Sequence, residues 1–176
     1  MNALLIRSST PSDLPAITAI YADNVYTGTG TFELEAPDED EMADRRDGVL
    51  GKGLPWLVAE NQGKVLGYAY ANHFRPRRAY RFCLEDSIYL HHDARGRGVG
   101  RVLLAELLTR CELLGARQML AVIGDAANAD SIALHAALGF AHTGRLKSAG
   151  WKFDRWLDVV LMQRTLGPGD AAPAAD

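Results

Sequence analysis

Apolar residues recur along this chain at two periods, and the switches between them mark its elements. Ala3 to Ile6 reads as a short strand. Thr10-Pro11-Ser12-Asp13 then supplies an N-cap, a proline at the first helical position and an acid in the first turn. Leu14, Ile17, Ile20 and Tyr21 follow on one face at helical spacing, so a helix is predicted to about Tyr26. Asp38 to Arg46 places acids first and arginines last, which complements a helix dipole. Trp56 to Ala59 and Val65 to Ala71 are strand-like and joined by the turn Asn61-Gln62-Gly63-Lys64, and Phe82 to Leu90 is a further strand. From Val99, residues Leu103, Leu104, Leu107, Leu108, Cys111 and Leu114 form a helical stripe ending at Gly115. Met119 to Ile123 reads as a buried strand, Asn128 to Leu138 as a helix closed by Gly139, and Arg155 to Met162 as the last of the terminal strands. This order predicts an α+β fold with a mixed central sheet of six to seven strands flanked by helices, rather than a clean βα alternation.

The 176 residues suit one domain, expected over residues 1–166, and the Gly/Pro/Ala-rich stretch from Gly167 to Asp176 is expected to be a disordered tail. A hydrophobic fraction of 48% and a charged fraction of 23% are ordinary for a soluble globular chain. The formal net charge of -3 argues against nonspecific affinity for nucleic acid or an anionic membrane, so any basic surface must be local. Residues 1–20 lack a signal-peptide apolar core and no run approaches a membrane span, so a cytoplasmic location is expected. Cys83 and Cys111 do not form a metal-ligand spacing, and no metal is expected.

The local basic surface sits at residues 95–101, Arg-Gly-Arg-Gly-Val-Gly-Arg, between a strand end and a helix start. Gly96, Gly98 and Gly100 let backbone N–H groups approach an anion closely, while Arg95, Arg97 and Arg101 add positive charge. The anion is expected to be a pyrophosphate. A nucleotide P-loop is excluded because no Gly-Lys-Ser/Thr follows, and a Rossmann fingerprint because Arg101 stands beyond Gly100 where the spacing fails. An acid on the Phe82–Leu90 strand, Glu85, shares a face with Cys83, Ser87 and Tyr89 by alternation, and it is costly there unless paired or functional. Arg75, Arg77, Arg78 and Arg81 interleave with Phe74, Tyr80 and Phe82. They could grip a small anionic molecule, form an aromatic-basic nucleic-acid surface, or decorate a solvated turn; the net negative charge favours the first over the second.

Arg95, Gly98 and Gly100 fill the pattern Arg/Gln-x-x-Gly-x-Gly/Ala, which resembles the acetyl-CoA loop of the GNAT acetyltransferase superfamily. The element order is similar to the GNAT fold across nearly the whole chain. Four further blocks, Phe74 to Arg81, Glu85 to Tyr89, Ser131 to His135 with Gly139-Phe140, and Lys152 to Asp158, resemble the phosphinothricin acetyltransferase branch. The chain departs from that branch with Cys83 where Thr is common, Asp86 where His is frequent, and one extra residue in Gly124 to Asn128.

The resemblance implies direct transfer from acetyl-CoA to the α-amino group of a small amino-acid-like substrate such as phosphinothricin, methionine sulfoximine or methionine sulfone, by a homodimer. It assigns Glu85 as general base. An α-ammonium of pKa near ~8 is only about one-tenth neutral at pH 7, so a base assists attack. Backbone around Ile88, Tyr89 and Leu90 would hold the thioester and pair with pantetheine as an extra strand. The loop from Arg95 through Gly96, Arg97, Gly98, Val99 and Gly100 to Arg101 would hold the pyrophosphate. His135 stands five residues before Phe140, where many GNAT enzymes carry the tyrosine that protonates the leaving thiolate; a structural histidine is the alternative. Asn128 and Ser131 would cap their helix or touch the cofactor. Phe32 with Arg75, Arg77, Arg78, Ala79 and Tyr80 would form the substrate pocket. Cys83 invites an acyl-enzyme mechanism, but no histidine stands at a spacing that activates it. Two rival functions are acetylation of protein N-termini and a noncatalytic CoA-sensing or RNA-binding module.

Overall fold

The computed structural model describes residues 4–174, so Ala3 of the first expected strand lies outside the described residues. The elements run β1 (Leu5–Ser8), α1 (Leu14–Thr27), α2 (Glu39–Leu50), β2 (Trp56–Asn61), β3 (Lys64–His73), β4 (Cys83–Leu90), α3 (Val99–Leu113), β5 (Gln118–Gly124), α4 (Ala129–Ala137), β6 (Ala141–Lys152) and β7 (Arg155–Thr165). The seven strands form one sheet in the order β1-β2-β3-β4-β5-β7-β6. All neighbouring pairs are antiparallel except β4 and β5, which run parallel because α3 carries the chain back between them.

Local chemistry sets the helix ends. Thr10 and Asp13 form a reciprocal capping box ahead of α1, and Arg7 clamps the Asp13 carboxylate at 2.7 Å, which holds that carboxyl down to about 2. Asp38 Oδ1 accepts from the Glu41 amide at 2.9 Å to start α2, which extends past the predicted Arg46 to Leu50. Arg46 itself is buried and donates to Ser9 Oγ and Ser9 O, each at 2.8 Å, tying α2 to the end of β1. The α3 stripe, Leu103, Leu104, Leu107, Leu108 and Cys111, packs fully into the core against β2 and β3. Gly115 (φ +88°) ends that helix in the left-handed conformation a side chain resists.

Two features depart from the pattern-based expectation. The penultimate strand, β6, is 12 residues long, almost wholly exposed, and bulged against β7 between His142 and Gly144 and between Leu146 and Gly150. Alternation cannot mark such a strand, because it lies at the sheet edge with neither face in the core. The stretch from Gly167 to residue 174 folds into turns, and Arg117 donates to Gly169 O at 3.0 Å and to Pro173 O at 3.2 Å. Those bonds tie a segment expected to be disordered to the start of β5.

Candidate active site

Strands β4 and β5 pair only from Cys83↔Gln118 to Asp86↔Ala121. Beyond that point β4 stays with β3 up to Leu90, while β5 follows β7 through Gly124. The two strands therefore separate, and a cleft of about 770 Å³ opens between them. Its walls bring together Glu85, Ile88, Tyr89, Leu90, Arg95, Gly96, Gly98, Gly100, Arg101, Asn128, Ser131 and His135. Residues spread over some 50 positions thus meet because the parallel pair parts in mid-strand. The β4 backbone past Asp86 has no β5 partner, which leaves an edge open to an extended ligand.

At the outer end of the cleft, Gly96 (φ +69°) and Gly98 (φ +80°) adopt left-handed backbone, and Gly98 is the N-cap of α3. A Cβ at either would meet nothing within 4 Å, so the space over the loop is free for a ligand. The first amides of a helix lack intrahelical partners, so the start of α3 beside this space offers free N–H donors of the kind that suit an anion. Arg95 is held by Asn24 Oδ1 at 3.1 Å, and Arg101 is exposed on the same wall. Arg97 instead turns back toward Asp93 O (3.4 Å) and Val99 is buried in the core; neither side chain lines the cleft. The wall itself needs Gly100, where a Cβ would press on Leu90 at 3.1 Å and Leu134 at 3.4 Å.

At the inner end stands Glu85, half-buried on β4 opposite Asn72 of β3. Burial raises its pKa first, the neighbouring Asp86 charge raises it further, and the Arg75 guanidinium pulls the other way. On the opposite face of β4, Asp86 Oδ2 lies 3.0 Å from His135 Nε2, with side-chain exposures of 2% and 3%. His135 Nδ1 donates to Ser131 O at 2.7 Å, so both ring nitrogens are engaged. Burial lowers the His135 pKa, but the Asp86 and Ser131 bonds outweigh it and the net direction is up. Asn128 Oδ1 accepts from the Ser131 amide at 3.3 Å and caps α4.

The expected substrate residues lie elsewhere. Phe32, Arg75, Arg77, Arg78, Ala79 and Tyr80 do not line this cleft. The stretch from Arg75 to Tyr80 is an exposed loop between β3 and β4, where Arg75 stacks on Phe74 at 4.9 Å and Tyr80 meets the same ring edge-on at 6.0 Å. Phe32 packs flat into a slot that Gly124 and Gly150 leave open; a Cβ at Gly150 would overlap the ring. Gly150→Ala is accordingly expected to destabilise the protein by about 1–3 kcal/mol through overpacking. Chemical denaturation should show part of that loss recovered in Phe32→Leu/Gly150→Ala, because the two sites share one contact.

Several organising residues carry no signal in periodicity. Asp125 (φ +70°) accepts from the Ala127 amide at 2.9 Å and from Arg155 at 2.6 Å, and so shapes the turn from β5 into α4. Asp followed by Ala-Ala-Asn is a turn signature that could have marked it. Lys152, buried, donates to Thr31 O at 2.9 Å and links β6 to the Phe32 loop. His91, His92 and Asp93 bring three ligand atoms within 4.8 Å of one another. The Asp93 amide already donates to His91 Nδ1 and Lys64 Nζ lies 3.8 Å from the carboxylate, an arrangement that serves as a charged turn.

A glycine loop at a helix start, beside parallel strands that part around a cleft with a carboxylate at its inner end, defines an acyl-transfer architecture. Residues 16–140 match the acetyltransferase (GNAT) family, and the chain belongs to that family as an N-acetyltransferase. It is 58% identical over 168 residues to a phosphinothricin N-acetyltransferase of Alcaligenes faecalis, covering 96% of this chain and 85% of that one. It is 41% identical over 172 residues to the L-methionine sulfoximine/L-methionine sulfone acetyltransferase of Pseudomonas aeruginosa, covering 96% and 98%. A phosphinothricin acetyltransferase from Sinorhizobium meliloti, solved in complex with AcCoA, superposes with a TM-score of 0.95 at 49% identity, over 98% of this chain and 94% of that one.

Proposed function

We propose that this enzyme transfers acetyl directly from acetyl-CoA to the α-amino group of a small amino-acid-like substrate of the phosphinothricin, methionine sulfoximine or methionine sulfone type. The observation that carries this reading is the cleft itself, with an anion-ready glycine loop at one end and Glu85 at the other. In it the loop from Arg95 to Arg101 holds the pyrophosphate, Arg97 and Val99 contributing backbone only. The open β4 edge at Ile88, Tyr89 and Leu90 pairs with pantetheine and donates an N–H toward the thioester carbonyl. Glu85, with its raised pKa, takes the ammonium proton so that the neutral amine can attack.

Arg75, whose charge reaches Glu85, is the arginine best placed to meet the substrate's carboxylate or its second polar group. Arg77, Arg78 and Tyr80 border the same loop, and Phe32 supports the far wall through Gly124. Loss of one charge-assisted bidentate contact costs about 2–3 kcal/mol, so Arg75→Ala should raise KM for these amino acids about 30- to 150-fold, with little change in CoA affinity. An acceptor panel of small amino acids and free-N-terminus peptides tests the class. Efficient acetylation of peptides alone would overturn the substrate assignment and leave the fold and donor standing.

The assembly proposed is a cytoplasmic homodimer. Supporting it are the exposed edge strand β6 and the exposed Trp151, Phe153 and Trp156 around the β6–β7 turn, an apolar cluster that a second copy would cover. Among the described residues no helix is long and apolar enough to cross a membrane. The net charge of -3 supports neither nucleic acid nor membrane as a partner.

A further inference from the structure

Gly28, Thr29, Gly30 and Thr31, between α1 and α2, line the cleft together with Glu85 and the glycine loop. At one end of this segment Gly28 N donates to Asn24 O at 3.1 Å, and the same Asn24 holds Arg95. Burial raises the Tyr70 pKa, and the Glu85 and Glu33 charges both add to it, so the other end of the segment lies on the Glu85 side. Among the described residues, 29–37 make no backbone–backbone hydrogen bond, so side chains fix this wall. Thr31 is held at both of its polar groups, Oγ1 by the Tyr21 hydroxyl and O by Lys152 Nζ, each at 2.9 Å.

Lys152 is an unusual group to find there. It is 3% exposed, its Nζ lies 5.1 Å from the centre of the Phe153 ring, and among the described residues no carboxylate forms an ion pair with it. Burial pulls its pKa down, and the Glu33 charge offsets only part of that. An apolar side chain of the same length would fill the space without desolvating a charge. What the ammonium adds is the bond to Thr31 O. We infer that Lys152 is a positioning residue of the transfer reaction, which through Thr31 O fixes the wall of residues 29–31 that sets the acceptor toward Glu85. The inference rests on the acetyl-transfer reading above. Lys152 does not itself line the cleft, so it acts through Thr31. Without its bond Thr31 keeps the Tyr21 hydroxyl alone, and Gly28 and Gly30 beside it resist a shift weakly. A displacement of about 1 Å at such a wall can cost about 100-fold in rate.

The test uses the full chain as wild type, Lys152→Met, Lys152→Gln and Lys152→Arg, with acetyl-CoA as donor and methionine sulfone as acceptor. Methionine fills the space without a donor, glutamine carries a neutral amide one bond too short for the 2.9 Å contact, and arginine keeps charged N–H groups. The two neutral variants should lower kcat/KM for methionine sulfone about 10- to 100-fold, chiefly through KM. Their Kd for CoA should stay within about 2-fold of wild type, because the donor end is built on α3 and β4. Lys152→Arg should recover most of the loss. Hydrogen exchange over residues 28–33 should quicken in the neutral variants alone. A wild-type KM in both neutral variants would overturn the inference. Parallel losses of acceptor KM, CoA affinity and Tm, or failure of both to fold, would make Lys152 a structural residue and overturn it equally. Wild-type protein that binds CoA yet acetylates neither methionine sulfone nor phosphinothricin would overturn the proposed substrate class and this inference with it.

Discussion

Gly98→Val is expected to abolish CoA binding while leaving the fold intact. Gly98 caps α3 at φ +80°, a conformation that a β-branched residue resists by roughly 1–2 kcal/mol. The larger effect is at the ligand: a Cβ there enters the space where nothing of the protein lies within 4 Å and where the pyrophosphate would sit. Losing two charge-assisted backbone bonds costs about 3–6 kcal/mol, or more than about 100-fold in Kd. Titration calorimetry with CoA reads the loss, and circular dichroism reads the fold. Unchanged affinity would remove the loop from the cofactor site.

Glu85→Gln should lower turnover about 100-fold or more, with CoA affinity nearly unchanged. Because burial and Asp86 raise the Glu85 pKa, the acid limb of the wild-type rate profile should fall at a pH above the ordinary carboxylate range. The base works deprotonated, so activity is lost as pH drops through that raised value, and Glu85→Gln should lack the limb. Stability moves in the other sense. A carboxyl whose folded pKa is raised binds its proton more tightly in the folded chain, so its ionisation costs stability as pH rises from the unfolded toward the folded value. Replacing it with glutamine should leave Tm equal or higher at pH 7. A lower Tm with native turnover would make Glu85 a structural partner instead.

The amphipathic helices and the buried strands were legible because their signals are local. The Leu103–Cys111 stripe, the Thr10–Asp13 cap and the Gly115 stop each act within a turn or two of chain. The same holds for the loop from Arg95 to Arg101, whose glycines and arginines are contiguous. Strand β6 was not legible by residue range, since its two glycines, its charges and its exposure on both faces leave no alternation to read. The stretch after Gly167 looked disordered by composition, yet Arg117, about fifty positions earlier, supplies the bonds that tie it down.

By itself, the sequence determined the mixed α+β class, the helix starts, the stop of α3 at Gly115, the glycine–arginine loop and the acid at Glu85, all set by interactions between near neighbours. Only the tertiary structure decided which of these share a site. The parting of β4 from β5 after Asp86 places Glu85, the loop and α4 around one cleft, and it leaves the Arg75–Tyr80 loop outside that lining. His135 shows the difference most directly. Its spacing before Phe140 suggested a proton donor; folding sets it on the cleft wall, buried against Asp86, 49 positions away, with both of its nitrogens in contact with protein oxygens. A long-range buried polar contact leaves no trace in local spacing, because its strength depends on the solvent that folding removes.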